Sequence, residues 1–305
     1  MVNREFDIIV VGHFSNDYLK LPCSKKYCTV MGGAVAYVSL ISRYLESSVA
    51  VISKIGSDFP QSYLTQLSKA GVDVSNILKF KNEQSTSFTL TYNTDLSYRK
   101  LKLRKKGSPI TVNDLPNSIN AKILHVAPID GEISYEVVRH LRGFCKYLSI
   151  DPQGITRQFD EKGKVTANSE IDKQILQMAD IYKSSSEEIL VITGCSDLEY
   201  AIKDIHAMGP KIVIVTMGDQ GSIISAHKII HKIPAYKSHQ TIDPTGAGDV
   251  FIGAFLHEFL HNEQDLVWCA YVGSAASSIA IEKIGTNLLT TKDEIYKRAR
   301  SLCET

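Results

Sequence analysis

The sequence has few of the features that mark exported, membrane-bound or nucleic-acid-binding chains. Its opening, MVNREFDIIVVGHF, contains an apolar run of only five or six residues with Asp7 at its edge, which is too short for a signal peptide or a membrane span. The formal net charge of +1 supplies no general field for nucleic acid or acidic lipid. We therefore expect neither a membrane nor a nucleic acid as a partner, and we interpret the opening as a buried strand.

The cysteines show no spacing that is typical of a zinc site or of a disulfide-rich protein. Six are scattered along the 305 residues without a C-x-x-C pair, whereas zinc sites and small disulfide scaffolds need characteristic spacings of thiols. The nine histidines likewise show no metal-ligand spacing. This pattern argues against zinc and disulfides and predicts a reducing, cytoplasmic location.

No linker, repeat or low-complexity tract divides the chain, so we predict a single domain over residues 1–305. A hydrophobic content of 44% at this length is enough for a large core. Strand-like runs lie at 6–11, 49–53, 122–126, 146–150, at or near 189–192, and at 212–216, with helical patterns such as 34–44, 61–70 and 198–208. This alternation predicts an α/β fold with a mostly parallel central sheet and helices on both faces.

Residues 86–106 interrupt this rhythm with a predicted β-hairpin. Its turn falls at 93–95, and its second arm alternates Leu101 and Leu103 with basic residues. Six basic residues lie between positions 99 and 106. The favoured interpretation is a solvated edge strand protected by charge. The alternative is electrostatic attraction of a nucleotide or an anionic substrate.

Residues 241–255, TIDPTGAGDVFIGAF, place a carboxylate at the start of a glycine-rich helix. Gly246 and Gly248 would let the backbone approach a phosphate closely and adopt φ values that other residues resist, while the first N–H groups of the helix bind the anion. Asp249 would then accept the proton of an attacking alcohol. The helix dipole alone also favours an aspartate there. The preceding KIVIVTMGDQGSII predicts two strands around a glycine turn.

Four segments together resemble one family. Residues 243–251 (DPTGAGDVF) resemble the C-terminal signature of the ribokinase-like, or PfkB-type, carbohydrate kinases, and residues 215–221 (VTMGDQG) resemble their nucleotide-binding turn. Gly32-Gly33 before an apolar helix is similar to the family's first signature, and Asp17 to its sugar-binding aspartate. The resemblance implies a ribokinase-like three-layer fold with a small β lid from about 14–31 and 85–107.

The resemblance also implies roles for individual residues. Asp249 would be the catalytic base, and the amides of Gly246, Ala247 and Gly248 would form the anion hole. The other implied positions are Thr216, Gly218, Gly221 and Thr245 for the nucleotide, Asp17, Gly32, Gly33 and Tyr37 for the acceptor, and Glu188 and Asp243 for metal. The implied cofactors are ATP and Mg²⁺, with K⁺ as an optional further ion near Asp243.

Several of these positions have a simpler interpretation. Thr245 would cap a helix, Asp243 would begin an Asp-Pro turn, and Glu188 would be a helix N-terminal acid behind a serine cap. Arg157, behind the loop 151–154, would either reach a phosphate or act as an exposed arginine without measurable effect. Ser185 stands where the family usually has asparagine.

The chain departs from the usual family pattern at Tyr37 and Ser185. With these departures, and with the segments 12–15 (GHFS) and 183–188 (KSSSEE), the sequence resembles the inositol-kinase branch of the family. The expected function is ATP-dependent phosphorylation of a hydroxyl on a small polyol, cyclitol or sugar, with a myo-inositol-like acceptor favoured. The alternatives are a nucleoside or a ketose- or ribose-type sugar kinase, and then a non-catalytic nucleotide-binding regulator. A dehydrogenase is disfavoured because no G-x-G-x-x-G follows the first strand. An exposed lid edge would allow a homodimer.

Overall fold

The computed structural model describes residues 5–22, 24, 26–96, 98–168, 171–238, 240–287 and 291–304, where the alternation of strands and helices is confirmed. The strands are β1 Phe6–Val11, β2 Ser15–Lys20, β3 Cys28–Gly32, β4 Val49–Gly56, β5 Asp73–Phe80, β6 Ser87–Tyr92, β7 Arg99–Lys105, β8 Ala121–Val126, β9 Cys145–Ile150, β10 Arg157–Phe159, β11 Val165–Ala167, β12 Ile181–Ser185, β13 Ile212–Thr216, β14 Ser222–Ala226 and β15 Ile229–Ile233. The helices are α1 Ala34–Tyr44, α2 Gln61–Lys69, α3 Tyr135–Arg142, α4 Gln174–Gln177, α5 Ser186–Thr193, α6 Leu198–Met208, α7 Ala247–His261, α8 Leu266–Ala280 and α9 Lys292–Cys303. Among these described helices, none combines the length and the apolar character needed to cross a membrane.

A nine-stranded sheet forms the centre of the fold, in the order β15-β14-β13-β12-β9-β8-β1-β4-β5. In this order, each strand from β13 through β12, β9, β8, β1 and β4 to β5 pairs in parallel with the next. At the other edge, β14 and β15 form a hairpin that is antiparallel to β13. Successive side chains of β1 point to opposite faces. Ile8 and Val10 pack with α1, α7 and α8, whereas Ile9 and Val11 pack with α3 and α6. Helices cover both faces, so the predicted three-layer fold is confirmed.

The prediction of a strand at or near residues 189–192 is wrong. The strand at this point in the sheet is β12, and the apolar run that follows it belongs to helix α5. Ser185 and Glu188 form a capping box, in which each side chain accepts the backbone N–H of the other residue. The expected serine cap is therefore confirmed. Periodicity alone does not separate a short buried strand from a buried helical segment.

A four-stranded sheet, ordered β3-β2-β6-β7, is built from the two segments predicted to form the lid, and we call it the lid sheet. The hairpin of β6 and β7 is confirmed. Leu101 is buried, whereas Lys100 and Lys102 on either side of it are exposed, so the expected solvated basic face is confirmed for β7. Its outer edge is partly paired, because Leu103 donates its N–H to the carbonyl of Gly163 and Lys102 forms a β-bridge with Lys164. The other edge strand is β3. Association of two copies through such an edge stays a prediction.

The chain passes between the two larger sheets at four connections, which we call the lid roots: residues 12–14, 33, 81–86 and 106–120. The first root leaves β1 at its carboxyl end. The lid sheet therefore lies at the edge where the parallel strands end, and open α/β sheets bind their ligands at that edge.

Candidate active site

A cavity of about 1050 Å³ lies between the lid sheet and the carboxyl ends of the parallel strands. Residues of β2, β6, β7, β12, β13 and α7 line it. The predicted site residues that it brings together are Asp17, Gly33, Tyr37, Glu188, Thr216, Gly218, Gly221, Thr245, Gly246, Ala247, Gly248 and Asp249. Gly32 and Asp243 lie outside this lining.

The glycine loop, residues 246–248, is fixed by two different steric constraints. Gly246 precedes α7 with a φ of 77°, in the left-handed region, and a Cβ there would lie 2.5 Å from the ring of Tyr37. Gly248 lies inside the helix without a positive φ, so the expected unusual φ is wrong for this residue. A Cβ on Gly248 would instead meet Nζ of Lys183 at 2.8 Å. The N–H groups at this helix start lack intrahelical partners, which suits an anion.

The residues before the loop are held by hydrogen bonds. Thr245 is not the N-cap of α7, as the capping interpretation expected, because Gly246 occupies that position. The Thr245 hydroxyl lies 2.8 Å from the Tyr92 hydroxyl. Asp243 is buried, and its two oxygens accept the N–H groups of Thr245 and Gly285, each at 3.0 Å. Asp243 thus has the turn-forming role that was one of its two interpretations.

Asp249 lies in the first turn of α7, buried at the cavity wall. Burial raises the pKa of this carboxyl group from 3.8 to about 7, with Asp151 and Glu188 adding to the rise and Lys183 opposing it. A group whose pKa lies near neutrality can accept a proton and release it again at neutral pH, which is what a general base must do.

A buried ion pair that sequence reasoning missed lies beside the glycine loop. Lys183, in β12, donates a hydrogen bond to Oδ2 of Asp151 at 2.6 Å, and both side chains are at most 5% exposed. Burial acts to lower the pKa of Lys183, but Asp151 raises it to about 12, so the ammonium stays charged at neutral pH. Strands β9 and β12 are neighbours in the sheet. A correct strand prediction at 181–185 would have placed the lysine beside Asp151, which follows β9.

Three buried polar atoms at the lid end of the cavity lack a hydrogen-bond partner among the described residues. They are Oγ of Ser15, Oδ1 of Asp17 and the hydroxyl of Tyr37. Asp17 lies within β2 rather than in a turn after β1. A Cβ on Gly32 would lie 2.0 Å from Oδ2 of Asp17, so the carboxyl group lies directly against this glycine. Burial raises the pKa of Asp17 to about 6. Buried polar atoms without partners call for a polar ligand.

The remainder of the lid end combines an apolar wall with two arginines. Phe88, Leu90 and Leu101 of the lid sheet line the cavity, as do Arg99 at the start of β7 and Arg157 at the start of β10. Arg99 lies on the same strand face as Leu101, and this separates it from the solvent-facing basic residues of β7. The period of two along a strand would have identified this difference.

The turn after β13 has the expected glycine conformations. Thr216 ends β13, and Gly218 and Gly221 have φ values of 61° and 89°. A Cβ on Gly221 would lie 2.0 Å from the carbonyl oxygen of Ile233. The cavity lining extends from this turn to residues 235–238 and to α8. This part of the lining lies outside both the glycine loop and the lid sheet.

Glu188 is the predicted metal residue that faces the cavity. Its Oε2 accepts the N–H of Ser185 at 2.8 Å, and this bond fixes the side chain at the cavity wall. Mg²⁺ prefers carboxylate oxygens and water, so Glu188 and the neighbouring Glu187 on the cavity wall fit this ion. In the described part of the chain, a tighter group of metal-ligating residues lies outside this cavity lining: His13, Asp130 and Glu132.

Known proteins match the chain along most of its length. The family model described as pfkB family carbohydrate kinase matches residues 5–293. A cytidine kinase of Thermococcus kodakarensis is 26% identical, over 92% of this chain and 97% of its own. Inositol 3-kinase of Arabidopsis thaliana is also 26% identical, over 96% and 80%. A solved pyrophosphate-dependent kinase of the ribokinase family superposes with a TM-score of 0.82 at 25% identity, over 95% and 99%. The expected ribokinase-like fold is confirmed.

Proposed function

The chain belongs to the pfkB family of carbohydrate kinases and is a small-molecule kinase, and from this premise we propose that it transfers the γ-phosphoryl group of ATP to a hydroxyl of a small polyol. A cyclitol such as myo-inositol is the favoured acceptor. One observation carries the proposal: the buried carboxyl group of Asp249, the glycine loop and the unpartnered polar atoms of the lid end share one cavity.

In the proposed reaction, Asp249 accepts the proton of the acceptor hydroxyl as its oxygen bonds to the γ-phosphorus. The bond from that phosphorus to the β,γ-bridging oxygen breaks, and ADP leaves. The N–H groups of the glycine loop and the ammonium of Lys183 hold the phosphoryl oxygens and stabilise the charge that develops on them. Asp151 positions Lys183 for this role.

In the proposal, ATP binds at the turn after β13 and at the start of α7. The residues proposed to contact the nucleotide are Thr216, Gly218, Gly221 and Thr245. Glu188 would hold Mg²⁺, which when bound neutralises negative charge on the phosphates. A K⁺ ion near Asp243 stays a prediction.

In the acceptor half, Asp17 accepts hydrogen bonds from two adjacent hydroxyls, and Gly32 and Gly33 provide the space for this contact. The hydroxyls of Ser15 and Tyr37 extend the polar set, which suits a ring with hydroxyls on several carbons. The inositol 3-kinase relative supports this choice.

A nucleoside is the second candidate acceptor. The apolar wall formed by Phe88, Leu90 and Leu101 suits the flat face of a base, while Asp17 would hold the ribose hydroxyls. The cytidine kinase relative, at the same identity as the inositol 3-kinase, supports this alternative.

The test is a panel assay with purified protein and Mg²⁺. Each acceptor (myo-inositol, cytidine, adenosine, fructose and ribose) is offered with ATP and, separately, with pyrophosphate, and the phosphorylated acceptor is measured directly. We expect ATP with myo-inositol to give the highest kcat/KM. The Asp249→Asn variant is the matched control for background hydrolysis.

Each other outcome of the panel changes a defined part of the proposal. A nucleoside with the highest kcat/KM overturns the acceptor and leaves the kinase mechanism in place. Turnover with pyrophosphate alone overturns the donor, which the pyrophosphate-dependent relative makes worth testing. Tight ATP binding without turnover of any acceptor favours the non-catalytic regulator.

A further inference from the structure

One part of the cavity lining belongs neither to the glycine loop nor to the lid sheet. It includes residues 235–238, after β15, and three serines of α8: Ser274, Ser277 and Ser278. Their spacing of three and four residues places these serines on one side of the helix. We call residues 235–238 and these three serines the α8 wall. The steps of the proposed reaction do not involve it.

Hydrogen bonds attach the α8 wall to the glycine loop. The Ser277 hydroxyl donates to the carbonyl oxygen of Ala247 at 2.8 Å. The Ser274 hydroxyl donates to the carbonyl oxygen of Pro234 at 2.9 Å and accepts the N–H of Tyr236 at 3.1 Å. A phosphate chain bound on the glycine loop therefore has this wall beside it.

A nucleotide uses the space along this wall, whereas pyrophosphate does not need it. In the proposed function, on which this inference rests, the phosphates lie on the glycine loop and the acceptor lies at the lid end. The nucleoside of ATP then extends into the remaining part of the cavity, along the α8 wall. The ring of Tyr236 offers a flat apolar face, and the hydroxyls of Ser238 and Ser278 offer hydrogen bonds, which together suit a heterocyclic base.

Arg298, in α9, lies behind the α8 wall and is not part of the cavity lining. Its Nη1 donates to the Ser278 hydroxyl at 2.9 Å, and its guanidinium carbon lies 5.0 Å from the centre of the Tyr236 ring. A guanidinium at this distance from an aromatic face is attracted to it. One side chain therefore holds a hydroxyl and a ring of the wall that come from different elements.

Two parallel hydrogen bonds to one carboxylate fix the Arg298 side chain itself. Its Nη1 and Nη2 donate to the two oxygens of Glu282 at 2.9 and 3.2 Å, the geometry in which an arginine and a carboxylate bind each other most strongly. Its Nε donates to Glu294, four residues earlier in α9, at 2.9 Å. Glu282 also accepts the hydroxyl of Ser238 at 2.7 Å. Through Glu282, the arginine is thus connected to a third residue of the wall.

We propose that Arg298 is a positioning residue for the base of the donor nucleotide: it holds Tyr236, Ser238 and Ser278 in the arrangement that the base meets. Arg298 lies outside the cavity lining, so it acts on the base only through these residues. Without the arginine, their side chains have to be ordered when the base binds, which lowers the affinity by about tenfold. A donor that has no base does not depend on this order.

Calorimetric titration with two ligands tests the proposal without any phosphoryl transfer. The ligands are ATP and inorganic tripolyphosphate, which has three phosphates and no base, each with Mg²⁺; a weakly binding ligand is measured by competition. In Arg298→Met, we expect the affinity for ATP to fall about tenfold and that for tripolyphosphate to change by less than about twofold. Arg298→Lys keeps a charge beside Glu282 without the planar fork, so its affinity for ATP should fall about threefold, and it replaces the methionine variant if that variant does not fold.

Tyr296→Phe is the matched control. Tyr296 also lies in α9, but its hydroxyl donates to Glu258 and its ring stacks on Trp268, and both partners lie outside the cavity lining. This variant should lower the midpoint of thermal unfolding and leave both affinities unchanged. An equal loss of ATP affinity in Tyr296→Phe would make the effect a general result of loosening α9 and would overturn the proposal. So would an unchanged ATP affinity in Arg298→Met, or an equal loss for the two ligands.

Kinetics provide a second measurement that a purely structural role would not reproduce. In Arg298→Met, KM for ATP should rise about tenfold, whereas KM for the acceptor and kcat at saturating ATP should change by less than about twofold. A lowered kcat with an unchanged KM for ATP would overturn the proposal.

The failure of the proposal and the failure of the proposed function are distinguishable. If the panel assay finds no phosphorylated product, the proposed function fails, whereas the titrations still decide the role of Arg298. If the wild type does not bind ATP, the role of Arg298 is overturned, and product formed from pyrophosphate would keep the kinase reaction.

Discussion

The two ends of the cavity are built differently. The phosphate end consists mainly of backbone: the glycine loop and the start of α7 come from one stretch, 245–249, and a left-handed glycine sets its shape. The acceptor end consists of side chains from separate strands and a helix, among them Ser15 and Asp17 of β2, Tyr37 of α1 and Leu101 of β7. The anion-binding stretch of the phosphate end is local in sequence, although Lys183 and Asp151 support it from distant positions, whereas the whole acceptor end depends on the tertiary structure.

Because the two ends are built differently, we expect substitutions at each end to change different properties of the enzyme. The phosphate end belongs to the core and is braced by the ion pair of Lys183 and Asp151, so changes there should act on turnover. The acceptor end is carried by the lid sheet, whose roots meet at Thr86, so changes there should act on acceptor use. Five predictions test this separation, from the largest expected effect to the smallest.

Asp249→Asn should lower kcat by at least about a hundredfold, because the general base is lost. ATP affinity, measured by calorimetric titration, should stay close to that of the wild type. Thermal unfolding serves as the check that the variant is folded. Near-normal turnover in a folded variant would remove Asp249 from the catalytic role.

Lys183→Met should destabilise the protein by about 3–5 kcal/mol, because Asp151 is left as a buried charge without a partner. The double variant Lys183→Met/Asp151→Asn should recover most of this stability. Its kcat/KM for ATP should still be about tenfold to a hundredfold below the wild type, the scale of one charge-assisted hydrogen bond. Stability is followed by thermal unfolding and the rate by product formation. Recovery of both quantities would make the pair purely structural.

Asp17→Asn should lower kcat/KM for the acceptor by about tenfold, because the carboxylate bonds to hydroxyls become neutral ones. The shape of the side chain is kept, so its close contact with Gly32 should persist. ATP affinity should not change. Steady-state kinetics with the acceptor varied at saturating ATP measure the effect, and unaltered acceptor kinetics would exclude Asp17 from acceptor binding.

The pH dependence of kcat/KM should show a rising limb governed by Asp249 in the free enzyme. Its raised pKa of about 7 means that the base is protonated, and therefore inactive, at lower pH. We expect kcat/KM to fall by about tenfold per pH unit below this value and to be nearly constant just above it. Initial rates at subsaturating substrate test this. A limb centred near pH 4 would mean that Asp249 has an ordinary pKa.

The two outer glycines of the loop should differ in their effect on stability. Gly246→Ala should destabilise by about 1–2 kcal/mol, because alanine resists the left-handed region, and the Tyr37 ring adds to this cost. Gly248→Ala should destabilise less, because its helical backbone suits alanine and a helix-propensity gain of up to about 1 kcal/mol offsets part of the cost of displacing Nζ of the buried Lys183. Chemical denaturation measures both. Equal effects would contradict the different backbone conformations of the two glycines.

The local features of the site were accessible from the sequence because their chemistry requires particular residues at fixed spacing. The turn of Gly218 and Gly221 was of this kind, as was the placement of Asp249 after the glycine loop. The alternation of β7 followed from the period of two, and so did the exposure of its lysines. These features need no knowledge of distant partners.

The features that the sequence did not predict depend on contacts between residues that are far apart in the sequence. Lys183 meets Asp151 only because β9 and β12 pair, and the strand of Lys183 was placed too late in the chain. Thr86 meets Asp130 across 44 positions. No local pattern distinguishes such a threonine from any other loop threonine. Side-chain partners of this kind become visible only after the strand order is known.

The near-neutral pKa of Asp249 also bears on what happens between successive reactions. Each transfer leaves the carboxyl group protonated, and a new acceptor needs it ionised again. An aspartate with an ordinary pKa of 3.8 would hold that proton weakly, whereas one with a much higher pKa would retain it. With a pKa of about 7 the carboxyl group favours neither form strongly at neutral pH, so a large share of it is ionised again once the proton has exchanged with solvent. Burial thus raises the basicity of Asp249 only to the point at which the carboxylate is still recovered at neutral pH before the next transfer.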